Sequence, residues 1–82
     1  MALDYRRLRS ITAREFANAL RRDGFKLIRQ KGSHQRYVHA DGRRVTLTFH
    51  GSGDTFEIKT LRSMMEQTRW SEDDLLRLGL IR

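Results

Sequence analysis

The stretch from Gln35 to Phe49 constrains the fold of this chain more than any other. Arg44-Val45-Thr46-Leu47-Thr48-Phe49 alternates without a break, with Val45, Leu47 and Phe49 on one side and Arg44, Thr46 and Thr48 on the other. Successive side chains of a strand point to opposite faces, so this is a half-buried strand. A second strand-like run, Gln35-Arg36-Tyr37-Val38-His39, precedes it, and Ala40-Asp41-Gly42 joins the two. Asp-Gly between two such runs is a hairpin signal. Two registers are open. A two-residue Asp41-Gly42 turn pairs Val38 with Val45 and His34 with Phe49. A three-residue loop with Gly42 left-handed sets Tyr37 opposite Val45, Arg36 opposite Thr46 and His34 opposite Thr48. The second is preferred, because it collects Tyr37, Val45, Leu47 and Phe49 on one apolar face and turns His34 and Arg36 to the polar face. It leaves Val38 outside. A slip of one residue would reverse every side chain and point His34 into the core.

The flanking segments read as helices. Thr12-Ala13-Arg14-Glu15 fits a capping box, and Ile11 and Phe16 stand where a hydrophobic staple places them. Phe16, Ala19 and Leu20 make a stripe at helical spacing, and Gly24 suits the end of a helix over about residues 13–22. A strand over about 25–30 follows, with Phe25 and Leu27 on one face; the hairpin strands span about 34–39 and 43–49. His50-Gly51-Ser52-Gly53-Asp54 turns the chain back. Ile58, Leu61, Met64 and Met65 mark a helix to about Gln67. Ser71, followed by Glu72, Asp73 and Asp74, caps a short last helix, with Trp70 and Leu75 as its staple. Residues 1–11 show no period and read as a basic arm ahead of a folded core over 12–82. The expected architecture is one α+β domain over 1–82, in the order α-β-β-β-α. Its three-stranded antiparallel sheet carries the helices on one face, a plan shared with double-stranded-RNA-binding domains.

Charge narrows the partners. The 82 residues carry a formal net charge of +7. The excess is uneven: residues 1–50 hold twelve Lys and Arg against four acids, residues 51–82 five against six. An anionic partner, of which nucleic acid is the commonest, is therefore expected on the first helix and the sheet. There is no cysteine, which excludes disulfides and thiolate metal sites. No apolar run reaches transmembrane length and the first residues lack the apolar core of a signal peptide, so the cytoplasm is the expected location and no membrane role is assigned.

Three histidines are the candidates for chemistry. His34, His39 and His50 do not have the spacing of a compact metal motif, so no metal and no cofactor is expected. No strand-to-helix elbow suggests a Ser-His-Asp triad. RNA cleavage needs less apparatus. The substrate's 2′-hydroxyl is the nucleophile, a histidine with an ordinary pKa of about 6.5 can move protons, and Lys or Arg can stabilise charge on phosphorus. His34 follows Arg29-Gln30-Lys31-Gly32-Ser33 and precedes Arg36, which makes it the histidine in basic company. By itself this composition also suits a non-catalytic RNA-binding module, or a basic face that docks an acidic protein.

Asp23-Gly24-Phe25, Arg29-Gln30-Lys31-Gly32-Ser33-His34, Tyr37, Asp41-Gly42-Arg43, His50-Gly51 and Thr60-Leu61-Arg62 together resemble the HicA, or YcfA-like, family of bacterial toxins, over about residues 12–78. The resemblance implies a double-stranded-RNA-binding-like fold, messenger RNA as substrate, endoribonuclease activity and neutralisation by a HicB-like antitoxin. It maps the family's functional histidine onto His34. Arg29, Lys31, Gly32, Ser33, Arg36, Arg43 and Arg44 are then the expected RNA-binding residues. The chain departs from the family pattern in having no proline and in carrying Thr68-Arg69-Trp70 where a glycine is usual before the last helix.

Overall fold

The computed structural model describes residues 5–48 and 50–81. Seven elements follow in order: α1 (Tyr5–Leu8), α2 (Ala13–Arg22), β1 (Lys26–Lys31), β2 (His34–Val38), β3 (Arg44–Thr48), α3 (Ile58–Thr68) and α4 (Glu72–Arg77). The strands form one antiparallel sheet in the order β1-β2-β3. The expected α-β-β-β-α order stands, α4 is the short last helix expected after Ser71, and α1 is added at the start. No helix among the described residues is long and apolar enough to cross a membrane.

Local signals set the helix limits. Thr12 Oγ1 accepts from the Glu15 N–H at 3.2 Å while Glu15 Oε1 accepts from the Thr12 N–H at 3.0 Å, completing the capping box. Ser71 and Asp74 repeat the arrangement on α4. At the other end of α2, Gly24 adopts φ +99°, its N–H donates to Arg21 O and the Phe25 N–H donates to Leu20 O. This is a Schellman ending, and it delivers Phe25 into the core. Arg69 closes α3 at φ +58°, a left-handed conformation that glycine adopts at less cost.

One core cluster takes Phe16, Ala19 and Leu20 from α2, Tyr37 from β2, Val45 and Leu47 from β3, Leu61 and Met64 from α3, and Phe25, Trp70 and Leu75. Phe16 lies against Phe56 and Trp70, with ring centroids 5.9 and 5.2 Å apart. Residues 5–11 differ from the loose arm expected. Leu8 and Ile11 are buried in the same core, and the Arg62 guanidinium lies 5.4 Å from the centroid of the Tyr5 ring. Two apolar residues spaced across a short turn were too few to show a period. The expected core residue Phe49 lies outside the described residues.

The hairpin register is the three-residue one: Tyr37 pairs with Val45, Arg36 with Thr46 and His34 with Thr48. Gly42 is left-handed at φ +99°, and the His39 N–H donates to Arg43 O at 2.9 Å to close the loop. Tyr37, Val45 and Leu47 are buried, so the residues between them face away from the core. β1 departs from regular alternation. Leu27 pairs with Tyr37 but Arg29, rather than Ile28, pairs with Arg36, and Ile28 is the extra residue of a β-bulge.

Candidate nucleic-acid interface

The bulge decides what the open face of the sheet carries. In an unbroken strand Arg29 and Lys31 would share the side of Phe25 and Leu27, towards the core. The extra residue at Ile28 shifts the phase. Because directly paired residues lie on the same face, the pairings give three cross-strand rows on the open side. These are Lys26, Val38 and Arg44; then Arg29, Arg36 and Thr46; then Lys31, His34 and Thr48. Among the described residues, five cations and one imidazole thus stand in these rows without a carboxylate.

The last row adjoins the turn that joins β1 to β2. Lys31 pairs with His34, which leaves Gly32 and Ser33 as a two-residue turn. Gly32 stands at φ +58° and Ser33 is not left-handed, the pattern of a type II′ hairpin, which takes glycine at its first position. The glycine of Gly32-Ser33-His34 thus serves the backbone, and the turn starts β2 with His34 exposed on the basic side. An open hollow of about 560 Å³ is lined by Arg29, Lys31, Gly32, Ser33, His34, Gln35, Arg36 and Thr46. Six of the expected site residues therefore meet there. Gln35 is held from the core side, where its Oε1 accepts from Tyr37 Oη at 2.8 Å.

None of Lys26, Arg29, Lys31, Arg36 and Arg44 forms an ion pair or side-chain hydrogen bond among the described residues, and neither does the His34 imidazole. Arg29 and Arg36 lie directly opposite each other, an arrangement that destabilises a sheet when the charges are alike. An anion on this face would relieve that repulsion.

Arg43, expected among the RNA contacts, is placed elsewhere. Its Nε donates to Asp41 Oδ2 at 2.8 Å and one Nη to Thr68 O at 2.7 Å, with Asp23 Oδ2 at 3.2 Å. The guanidinium lies 4.8 Å from the centroid of Phe25 and is only 16% exposed. Sequence neighbours part company here: Arg44, the first residue of β3, faces the open side, whereas Arg43, in the loop before it, is bound into the molecule.

Asp23 is the centre of that second cluster. It accepts from Trp70 Nε1 and from Arg77, each at 2.8 Å, beside Arg43. Burial alone would push its carboxyl up; the bonds from Trp70 and Arg77 and the charges of Arg43 and Arg77 outweigh this and hold it below the ordinary value. His39 joins the same cluster. Its Nε2 lies 2.7 Å from Asp23 O and its Nδ1 accepts from the Asp41 N–H at 3.1 Å. Nδ1 also lies 3.1 Å from Asp41 Oδ1, so Asp41 meets this ring nitrogen with both its N–H and its carboxylate. A Cβ on Gly24 would lie 3.0 Å from His39 Nε2. Asp23-Gly24-Phe25 and Asp41-Gly42-Arg43 are thus mutual supports of the fold. His50 does not line the hollow; its N–H and that of Gly51 donate to Asp54 Oδ2, while Asp54 O accepts from Ala13 N–H at the start of α2.

Lys26 has no place among the residues expected from sequence. Counted along a regular strand it falls opposite in phase to Arg29 and Lys31, and only the bulge brings the three together. A family model described as the HicA toxin of bacterial toxin–antitoxin systems matches residues 13–70. No curated protein matches the chain significantly.

Proposed function

The chain belongs to the HicA toxin family of bacterial toxin–antitoxin systems, and from that premise we propose that it is an endoribonuclease that cleaves messenger RNA in the cytoplasm, with His34 as general acid and base. The observation that carries this reading is His34, exposed and with no side-chain bond at the rim of a hollow with Arg29, Lys31 and Arg36, whose charges have no partner among the described residues. The chemistry follows from those groups. His34 takes the proton of the 2′-hydroxyl as the 2′-oxygen attacks phosphorus. Charge builds on the non-bridging oxygens, where Lys31, Arg36 and Arg29 stabilise it. The bond from phosphorus to the 5′-oxygen breaks, and the imidazolium returns the proton to that oxygen. One strand end is left as a 2′,3′-cyclic phosphate and the other as a 5′-hydroxyl. No step in this sequence requires a metal ion. Gly32 and Ser33 bring backbone groups of the turn to the phosphate, and Arg44 extends the basic face.

The hollow contains one imidazole and no carboxylate, which also suits a module that binds RNA without cutting it. His34→Ala separates the two. Under the nuclease reading it abolishes cleavage and growth arrest, leaves the fold intact and retains RNA binding, while the parent protein cleaves in the presence of chelator. Undiminished cleavage by the folded variant would overturn the assignment of His34. A family of this kind implies an antitoxin partner; a HicB-like protein presenting acidic residues would complement the same unpaired face.

A further inference from the structure

The hollow accounts for only part of the basic face. Lys26 and Arg44 lie outside it, in the row farthest from His34, and both are exposed. We infer that Lys26, Arg29 and Lys31 form a phosphate track along β1 for single-stranded RNA, leading away from the cleavage position at His34, with Arg44 flanking its far end. The inference rests on RNA being the ligand and adds the footprint, the strandedness and the lack of base readout.

The spacing carries the argument. Opposite the three cations stand Val38, Arg36 and His34, two residues apart each time. Two residues of antiparallel strand advance about 7 Å. The bulge absorbs Ile28 so that β1 keeps this step although three residues separate Lys26 from Arg29. A two-residue step is comparable with the distance between successive phosphates of an extended single strand. A single row of this length meets one backbone, whereas a duplex-binding surface reaches across grooves to both strands. The three side chains are therefore arranged for one backbone laid along the sheet edge. β1 is also the edge left open: on the opposite edge the Thr46 N–H donates to Gln67 Oε1 at 3.1 Å, so α3 covers part of β3.

The same rows offer little for base recognition by stacking. Beyond His34 the open face presents Lys, Arg, Val and Thr, and no Phe, Tyr or Trp among the described residues. Strand-binding sheets that read bases do so by stacking them on aromatic side chains. Here the track holds phosphates and leaves the bases free, so it adds affinity without sequence preference.

The test uses His34→Ala as a background that binds but does not cut, with a single-stranded oligoribonucleotide long enough to cover the sheet. Lys26→Ala and Arg44→Ala, both surface changes, should each lower the slope of log affinity against log salt by about 0.7, the value for one phosphate contact on a single strand. Lys26→Arg should restore it. Replacing single phosphates by neutral methylphosphonate linkages should reproduce the Lys26→Ala loss at one linkage, and the two losses should not add. Changing the bases over the track should leave affinity unaltered, and duplex RNA should bind more weakly. An unchanged salt slope in folded Lys26→Ala, with RNA still bound by the background, overturns the track and leaves the nuclease reading standing. Equal binding of duplex overturns it as well. Absence of RNA binding in the background overturns both readings, and the face then belongs to an acidic protein.

Discussion

Arg29 faces Arg36 directly across the β1–β2 ladder, and neither guanidinium has an acidic partner among the described residues. The same molecule pairs Arg43 and Arg77 closely with Asp23 and buries most of that carboxylate, leaving it 10% exposed. Its acids thus hold the fold together at one place, while a second group of cations is left uncompensated at another. Opposed like charges lower stability, and an anionic ligand turns that deficit into affinity.

Replacing Arg29 by Glu converts the repulsion into a cross-strand attraction. Unfolding in urea should show a gain of about 0.5 kcal/mol, within the range for such pairs. Cleavage of RNA should fall sharply, because a negative charge then sits beside the phosphate. A loss of stability would show that the two arginines do not repel as placed.

His34 and His39 should respond in opposite ways. His34→Ala should reduce cleavage by at least ~10²-fold, the usual contribution of a positioned acid–base group, and leave the midpoint of thermal unfolding near that of the parent. His39→Ala removes the bonds to Asp23 O and Asp41 N–H and should cost about 1–3 kcal/mol. Its cleavage rate per folded molecule should be retained. Parallel rate and unfolding measurements on the two variants check this.

Asp23 sets a limit in acid. Its carboxyl is held below the ordinary value of 3.8, so it binds protons less readily folded than unfolded. The stability it supplies is complete above that ordinary value and is lost as pH falls through the lower folded one. Asp23→Asn should lower stability at neutral pH by about 1.5–3 kcal/mol, the range for hydrogen bonds to a charged group, while Arg43 keeps Asp41 and Arg77 keeps Asp74. It should also flatten the acid limb of a plot of unfolding free energy against pH. An acid limb as steep as the parent's would assign the linkage to other carboxylates.

Arg69 holds a left-handed conformation with an exposed side chain that makes no ion pair among the described residues. Arg69→Gly should stabilise the domain by about 1 kcal/mol, through relief of that conformation. Unfolding midpoints of the two proteins measure the difference, and a destabilised variant would show that the arginine side chain contributes more than its backbone costs.

The elements with local causes were legible in the chain. Thr12 and Glu15 cap α2 because both partners lie within one turn, and Gly24 ends it because only the next two N–H groups are involved. The β2–β3 register followed from burying Tyr37, Val45 and Leu47 together. His34 and its turn were legible as a basic segment, and its outward direction followed from the same register. The packed state of Leu8 and Ile11 was not, since their partners are distant in sequence. Nor was the role of Arg43, which Asp23 and Thr68 O draw inward from positions twenty and twenty-five residues away. The composition of the open face depended on one residue. A strand read by alternation puts Arg29 and Lys31 with Phe25, and pairing with β2 around the bulge at Ile28 puts them with His34 and Lys26. Side-chain direction in a strand has a period of two, so a single extra residue reverses everything beyond it. The sequence by itself determined the hairpin, the caps and the histidine. Where the cations stand was decided by tertiary structure, because a bulge is a property of two paired strands and neither strand shows it alone.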